Sequence, residues 1–278
     1  MRSTISRRRI MILCVVALAA CVGSARADGT KKVLLIGQGP DDHPPGSHEY
    51  MAGLRVLEAC LSDIPDLEVE VIEVGETWPE GAEKIRQADG VVLYLAEGAK
   101  WVHADVERLE AMAQLATRGG GIAALHWGIG TQHERYVEGF LKLLGGCHGG
   151  PDRQFIEIET ELVPASPDHM ILRGVEPLTV LDEFYYDLKF IEPADSITPI
   201  LHAKIDDEMK TVAWAWERSD GGRSFGFSGL HFHANWSELA YRRVSAQAVL
   251  WTVDLPIPEG GLPCEVADEL LALPAELP

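Results

Sequence analysis

The 278-residue chain carries 43 acidic against 24 basic residues, a formal net charge of −19. So negative a chain repels nucleic acid and anionic membranes, and a neutral or cationic small molecule suits it better as a partner. Hydrophobic residues make up 46% with no dominant low-complexity tract, which excludes a disordered polymer and leaves room for one large domain.

Residues 1–27 read as a signal peptide. Arg2, Arg7, Arg8 and Arg9 form a basic start, Ile10 to Ala20 is an apolar run too short to span a bilayer, and Ala25-Arg26-Ala27 is a cleavage signature. Removal takes away five arginines and no acid, so the charge moves from −19 to −24. The expected location is periplasmic or extracellular, with no membrane span. Leu18-Ala19-Ala20-Cys21 also resembles a lipoprotein box, so a lipid anchor at Cys21 stays open, as do a twin-arginine reading of Ser6-Arg7-Arg8 and a retained anchor helix. Only Cys60, Cys147 and Cys264 follow, without C-x-x-C spacing, so neither a disulfide framework nor a zinc knuckle is implied.

Val33 to Gly37 is a short apolar run that predicts a buried strand. A Gly/Pro/Asp-rich loop, Gln38 to Gly46, leads to Ser47, a candidate cap for a helix over His48 to Leu61. Leu67 to Val74 alternates apolar and acidic residues and predicts an outer strand. A helix over Glu80 to Ala88, a strand over Gly90 to Leu95, a helix over Asp105 to Thr117 and a strand over Ile122 to Leu125 follow. A helix over Gln132 to Leu144 ends at Gly145-Gly146. Alternating strands and helices predict an α/β fold, a mostly parallel sheet with helices on both faces. After residue 150 the pattern changes. Phe155 to Glu161 alternates, and Thr211 to Trp216 and Ser224 to Leu230 flank a Ser219-Asp220-Gly221-Gly222 turn, which predicts an antiparallel extension. Ser237 is a candidate cap for a last helix. The main domain therefore runs over 28–255, with a Pro-rich tail over 256–278 that wraps the surface or is loose.

Ala124-Leu125-His126-Trp127-Gly128 has the small-x-X-x-small pattern of a nucleophile elbow, strand before and helix after, with histidine at its centre. Such a turn lifts the central side chain into the crevice at the carboxyl ends of the strands. Histidine there suits acid/base work or metal ligation, or it closes the turn by hydrogen bonding. The same crevice would receive Asp41, Asp42, His43 and His48, His48 as a binding residue or a helix cap, and Glu97, more simply a surface carboxylate. In Gly229 to Trp236, alternation would put His231, His233 and Asn235 on one face of an extended chain. Trp127 and Trp236 offer flat faces for a sugar ring, or fill the core. Asp182, Glu183 and Tyr185 lie in an acidic, phenol-rich segment that either serves the histidines or is a solvated edge. His148, in a glycine-rich loop, could reach the site. A metal would need a third ligand beside the His231/His233 pair, and a divalent cation stays open as cofactor.

These residues resemble the trehalose-utilisation (ThuA-like) family. The carriers are Ser47-His48-Glu49, Gly120 to His126, Asp182-Glu183-Phe184-Tyr185, Val212-Ala213-Trp214 and Phe227 to His231. The resemblance spans Lys31 to Leu255. It implies the flavodoxin-like, class I glutamine amidotransferase-like sheet, without amidotransferase activity because histidine replaces cysteine at 126. It also implies carbohydrate catabolism, with oxidised (3-keto) sugars or complex glycans as the substrate class. Three functions follow as expectations. The first is an enzyme on a sugar or keto-sugar, with His126 as central acid/base, His231 as its partner and Glu183 as orienter or second base. The others are a metal-dependent hydrolase and a non-catalytic carbohydrate-binding module.

Overall fold

The structure is a computed structural model describing residues 29–75 and 77–273. The signal peptide expected over 1–27 and the last residues of the tail lie outside the described residues. Near-continuous apolar runs build β1 (Lys31–Gln38), β3 (Gly90–Tyr94) and β4 (Gly121–Leu125), and an alternating apolar and acidic stretch builds the outer strand β2 (Leu67–Val74). Val33, Leu34, Leu35 and Ile36 are all essentially inaccessible, as strands covered on both faces must be. Helices α1 (Tyr50–Leu61), α2 (Gly81–Gln87), α3 (Gly98–His103), α4 (Val106–Thr117) and α5 (Val137–Leu144) connect and cover them.

Two short strands, β5 (Gly130–Thr131) and β6 (Gly146–Gly149), form a small sheet with β9 (Lys189–Phe190). The second half supplies β7 (Gln154–Pro164), β8 (Leu178–Tyr186), β10 (Ile197–Ile205), β11 (Glu208–Glu217) and β12 (Arg223–Phe227), then α6 (Leu239–Thr252) and α7 (Asp268–Leu271). The main sheet has nine strands in the order β2-β1-β3-β4-β12-β11-β10-β7-β8. β2 through β12 in that order are mutually parallel, and the remaining neighbours are antiparallel. This is the expected parallel sheet with an antiparallel extension. Val33 and Leu35 face α1 and α6, whereas Leu34 and Ile36 face α2 to α5, so helices cover both faces.

Several boundaries differ from expectation for local reasons. α1 starts at Tyr50 because His48 adopts a left-handed φ of +53°, so Ser47 cannot cap it. Instead the Gly46 N–H donates to Glu49 Oε1 at 2.9 Å. α5 starts at Val137 because Glu97 takes hold of the chain ahead of it: its Oε2 accepts from Thr131 Oγ1 at 3.1 Å and Gln132 N–H at 2.9 Å. Glu97 is therefore a loop anchor rather than a free surface carboxylate. Ser237 does not cap α6, since its hydroxyl donates back to the Ala234 carbonyl at 2.6 Å. The tail packs against α6 rather than hanging free. Leu262 N–H donates to Gln247 Oε1 at 2.7 Å, and Ile257, Leu262 and Cys264 are buried. Among the described residues, no helix is long and apolar enough to cross a membrane.

Candidate active site

The parallel half delivers two histidines. β4 stops at His126, whose φ of +47° is the left-handed turn of an elbow. The backbones crowd there: a Cβ on Gly128 would meet the Leu93 carbonyl oxygen at 2.3 Å, and one on Gly98 the Gly128 oxygen at 2.0 Å. No α-helix follows, however. A single 3-10 turn, His126–Ile129, hands the chain to β5, which pairs with β6, so no α-helix N-terminus directly follows the elbow. The loop after β1 returns His48.

The antiparallel half delivers the rest. β8 carries Asp182, Glu183 and Tyr185, and the segment after β12 carries His231. The chain is not extended from His231 to Asn235, because a 3-10 turn begins at His233. Leu230 holds a φ of +77°, strained for a leucine, and is fixed at both ends. Its N–H donates to Asp182 Oδ2 at 2.7 Å, and its carbonyl accepts from the Tyr94 hydroxyl at 2.6 Å. Backbone bonds then join the two halves. His48 N–H donates to the His231 carbonyl at 3.0 Å, and His233 N–H to the Gly46 carbonyl at 2.8 Å.

Fully buried His126 sits at the centre. Its Nδ1 lies 2.9 Å from the Ser228 carbonyl oxygen. A carbonyl only accepts, so Nδ1 carries the proton and Nε2 presents a lone pair. Around that Nε2 stand His48 Nε2 at 2.9 Å, the Tyr185 hydroxyl at 3.0 Å and His231 Nδ1 at 3.1 Å. Glu183 Oε1 is 3.8 Å from it and 3.7 Å from His231 Nδ1. His48 Nδ1 is 2.7 Å from Asp41 Oδ2, to which the Tyr50 hydroxyl also donates at 3.0 Å.

Burial sets the charges. It drives the His126 imidazole well below its ordinary value, helped by the neighbouring His48 and His231. It lowers His231 to about 4, helped by His48, and His148 to about 3. These rings are neutral at pH 7. Burial pushes Glu183 the other way, up to about 7, with a hydrogen bond from Tyr185 pulling it partly back. This carboxyl can therefore give or take a proton near neutrality.

Two cavities meet at Glu183. One of about 740 Å³ is lined by Pro44, Glu157, Glu183, His231, Phe232 and Leu273 among others, a size that suits a small ligand. A smaller one of about 150 Å³ runs past His48, Trp127, His148, Arg153 and Tyr185. Tyr185 stacks on His148 with centroids 3.9 Å apart and planes 8° from parallel.

The structure thus brings His126, His231, Glu183, His48, Tyr185, Trp127 and His148 into one region. His126 lines neither cavity. It lies beneath the cavities, and Glu183 is the carboxyl that borders both of them. Asp182, Asn235 and Trp236 line neither cavity. Asp182 is wholly buried, with its carboxylate accepting from the N–H groups of Leu230, His231 and Glu183 and from the Tyr241 hydroxyl. Asn235 Nδ2 donates to the Leu181 carbonyl at 3.0 Å. Trp236 is fully buried against Tyr94, a core filler. His233 is buried at the wall of the larger cavity. Sequence reasoning missed Tyr50, which steadies Asp41, and the part of Tyr94 in holding Leu230. Their only sequence signal was a polar tip on an apolar body in a core pattern.

A family model described as "Trehalose utilisation" (ThuA) matches residues 41–252. A search of curated proteins returns no significant match. Among solved structures, a putative ThuA-like protein from Parabacteroides merdae aligns with a TM-score of 0.60 and 14% identity, covering 80% of this chain and 90% of that one. Another from Bacteroides uniformis aligns with a TM-score of 0.61 and 12% identity, covering 82% and 93%. At such identity the likeness is one of fold.

Proposed function

The chain belongs to the ThuA (trehalose utilisation) family, and from that premise we propose that it is an exported enzyme acting on a sugar or keto-sugar, with Glu183 as its acid/base group. The observation that carries this reading is the position of Glu183. Its carboxyl borders both cavities, lies 3.7 Å from His231 Nδ1 and is pushed up to about 7 by burial. A carboxyl so tuned suits proton removal beside a sugar carbonyl, or assisted cleavage of a glycoside through an enediol. The Tyr185 hydroxyl can hold a substrate oxygen, and Trp127 offers a half-buried ring face. Export is supported by the leader-like residues 1–27, and a small neutral carbohydrate by the charge of −19.

The test is turnover on a panel of keto-sugars and glycosides, comparing the wild type with Glu183→Gln. A general acid/base is worth about 10²–10⁴-fold, so the variant should lose at least about 100-fold in kcat while still binding. Undiminished turnover by Glu183→Gln removes the assigned role. Saturable binding with no product from any panel member makes the protein a carbohydrate-binding module instead.

A further inference from the structure

We propose that His48 Nε2, His126 Nε2 and His231 Nδ1 together hold one divalent transition-metal ion of the zinc class, with Glu183 facing its remaining side. This inference rests on the site assigned above, but it stands on different observations. The three nitrogens all lie within 4.8 Å of one another, and all three rings are buried. They come from three separate places in the chain: the loop before α1, the elbow after β4 and the segment after β12.

The proton inventory carries the argument. The Ser228 carbonyl accepts a hydrogen bond from His126 Nδ1–H, and the Asp41 carboxylate accepts one from His48 Nδ1–H. Each ring is then the tautomer whose Nε2 bears a lone pair and no hydrogen. Yet these two Nε2 atoms face each other at 2.9 Å. Two lone pairs at that distance repel, and the single hydroxyl proton of Tyr185, 3.0 Å from His126 Nε2, can serve only one of them, so a cation between or beside them relieves the contact. Neutral imidazole nitrogens, each fixed by a hydrogen bond on its other nitrogen, are what a zinc-class ion takes.

The ring geometry agrees. Tetrahedral zinc with bonds of about 2.0–2.1 Å puts its ligand nitrogens about 3.3 Å apart and the centroids of three imidazoles about 5.2 Å apart. The observed nitrogen separations from His126 Nε2 are 2.9 and 3.1 Å. The centroids are 4.9, 4.8 and 5.1 Å apart, with planes crossing at 66°, 75° and 67°. The rings therefore radiate from one point, and a shift of a few tenths of an ångström suffices to seat an ion. Glu183 Oε1, 3.8 and 3.7 Å from two of the nitrogens, lies on the side shared with the cavities. Asp41 and Glu183 balance a double positive charge with two negatives. Nitrogen donors of this kind select zinc, nickel, copper or iron over magnesium or calcium. An ion here would polarise a substrate oxygen entering beside Glu183.

The experiment loads the full chain with Zn2+, and separately with Co2+, after chelator treatment, and reads bound metal, the cobalt d–d spectrum and Tm. About one equivalent per chain is expected, with a tetrahedral-type cobalt spectrum and a Tm raised by the ion. His126→Ala and His48→Ala should each reduce bound metal to about a tenth or less, while exposed His133→Ala keeps it. Asp41→Asn should weaken binding about 10–100-fold without abolishing it. Should a variant fail to fold, the wild-type spectrum and Tm shift still decide. Failure to bind either ion, an octahedral cobalt spectrum, or binding unchanged in both histidine variants would overturn the site. Metal bound with no sugar turnover would sink the enzymatic reading alone. Sugar turnover by a chain that binds neither ion would sink this inference alone.

Discussion

The two halves of the main sheet solve the problem of burial differently. In the parallel half, β1, β3 and β4 are covered on both faces and admit almost nothing but apolar side chains between their ends. Chemistry there is confined to the loops after each strand, where His48 and His126 sit. In the antiparallel half, β7 and β8 are covered on one face only. Phe155 and Leu181 remain more than half exposed, and polar groups occur mid-strand. Asp182, Glu183 and Tyr185 can therefore stand within one strand, alternately serving the core and the cavities. The parallel half supplies rigid anchors at fixed points, and the other half brings the groups that meet solvent and substrate.

The sharpest test of that division is where the halves join. Trp214 of β11 is fully buried, and its Nε1 donates to the Leu144 carbonyl at 3.0 Å, at the end of α5. Trp214→Ala should cost about 3–5 kcal/mol in urea denaturation, since it leaves a large cavity and an unpaired carbonyl. A cost confined to local loosening, with the parallel half melting independently, would break the view of one cooperative sheet. Asp182→Ala should come next, at about 3 kcal/mol, because it strands several buried N–H donors around Leu230 and His231. The same variant should disturb the histidine signals in an NMR spectrum, which a purely local cavity would not. Asp105→Ala marks the small end. The Asp105 carboxylate caps α4 by accepting from Arg108 N–H at 2.9 Å, far from the site. Its loss should cost about 1 kcal/mol with no change in turnover or metal binding.

The sequence was legible to different depths in the two halves. The strands β1, β3 and β4 could be read because apolar runs bounded by glycine leave little else to build, and β2 because it alternates apolar and acidic residues. The parallel order and the elbow at His126 followed from that spacing. α3 was not visible, because six residues beginning at Gly98 carry no helical repeat. β10 was hidden by Pro199 within it, tolerated where the register shifts beside it. Within the site, residue types at strand ends pointed to His126, His231 and Glu183. The inward or outward sense of a β8 residue depends on a bulk the sequence does not display, and so Asp182 looked like a neighbour of the ligand when it is a brace for the backbone. Trp236 misled similarly, since an indole stacks on a sugar or on Tyr94 equally well. The pairing of Asp41 with His48 depends on the left-handed turn at His48, which no propensity signals.

The bridging bonds between Gly46–His48 and His231–His233 also bear on biosynthesis. A ribosome releases residues in order, and domains begin to fold from their N-terminal side. The elbow holding His126 emerges 105 residues before His231, and the loop holding His48 emerges earlier still. Until His231 leaves the exit tunnel, His48 has no carbonyl to donate to, and the third imidazole is missing. A chain that ends before His231 therefore lacks both the third imidazole and the carbonyl that pins His48, whatever early strands and helices it has formed.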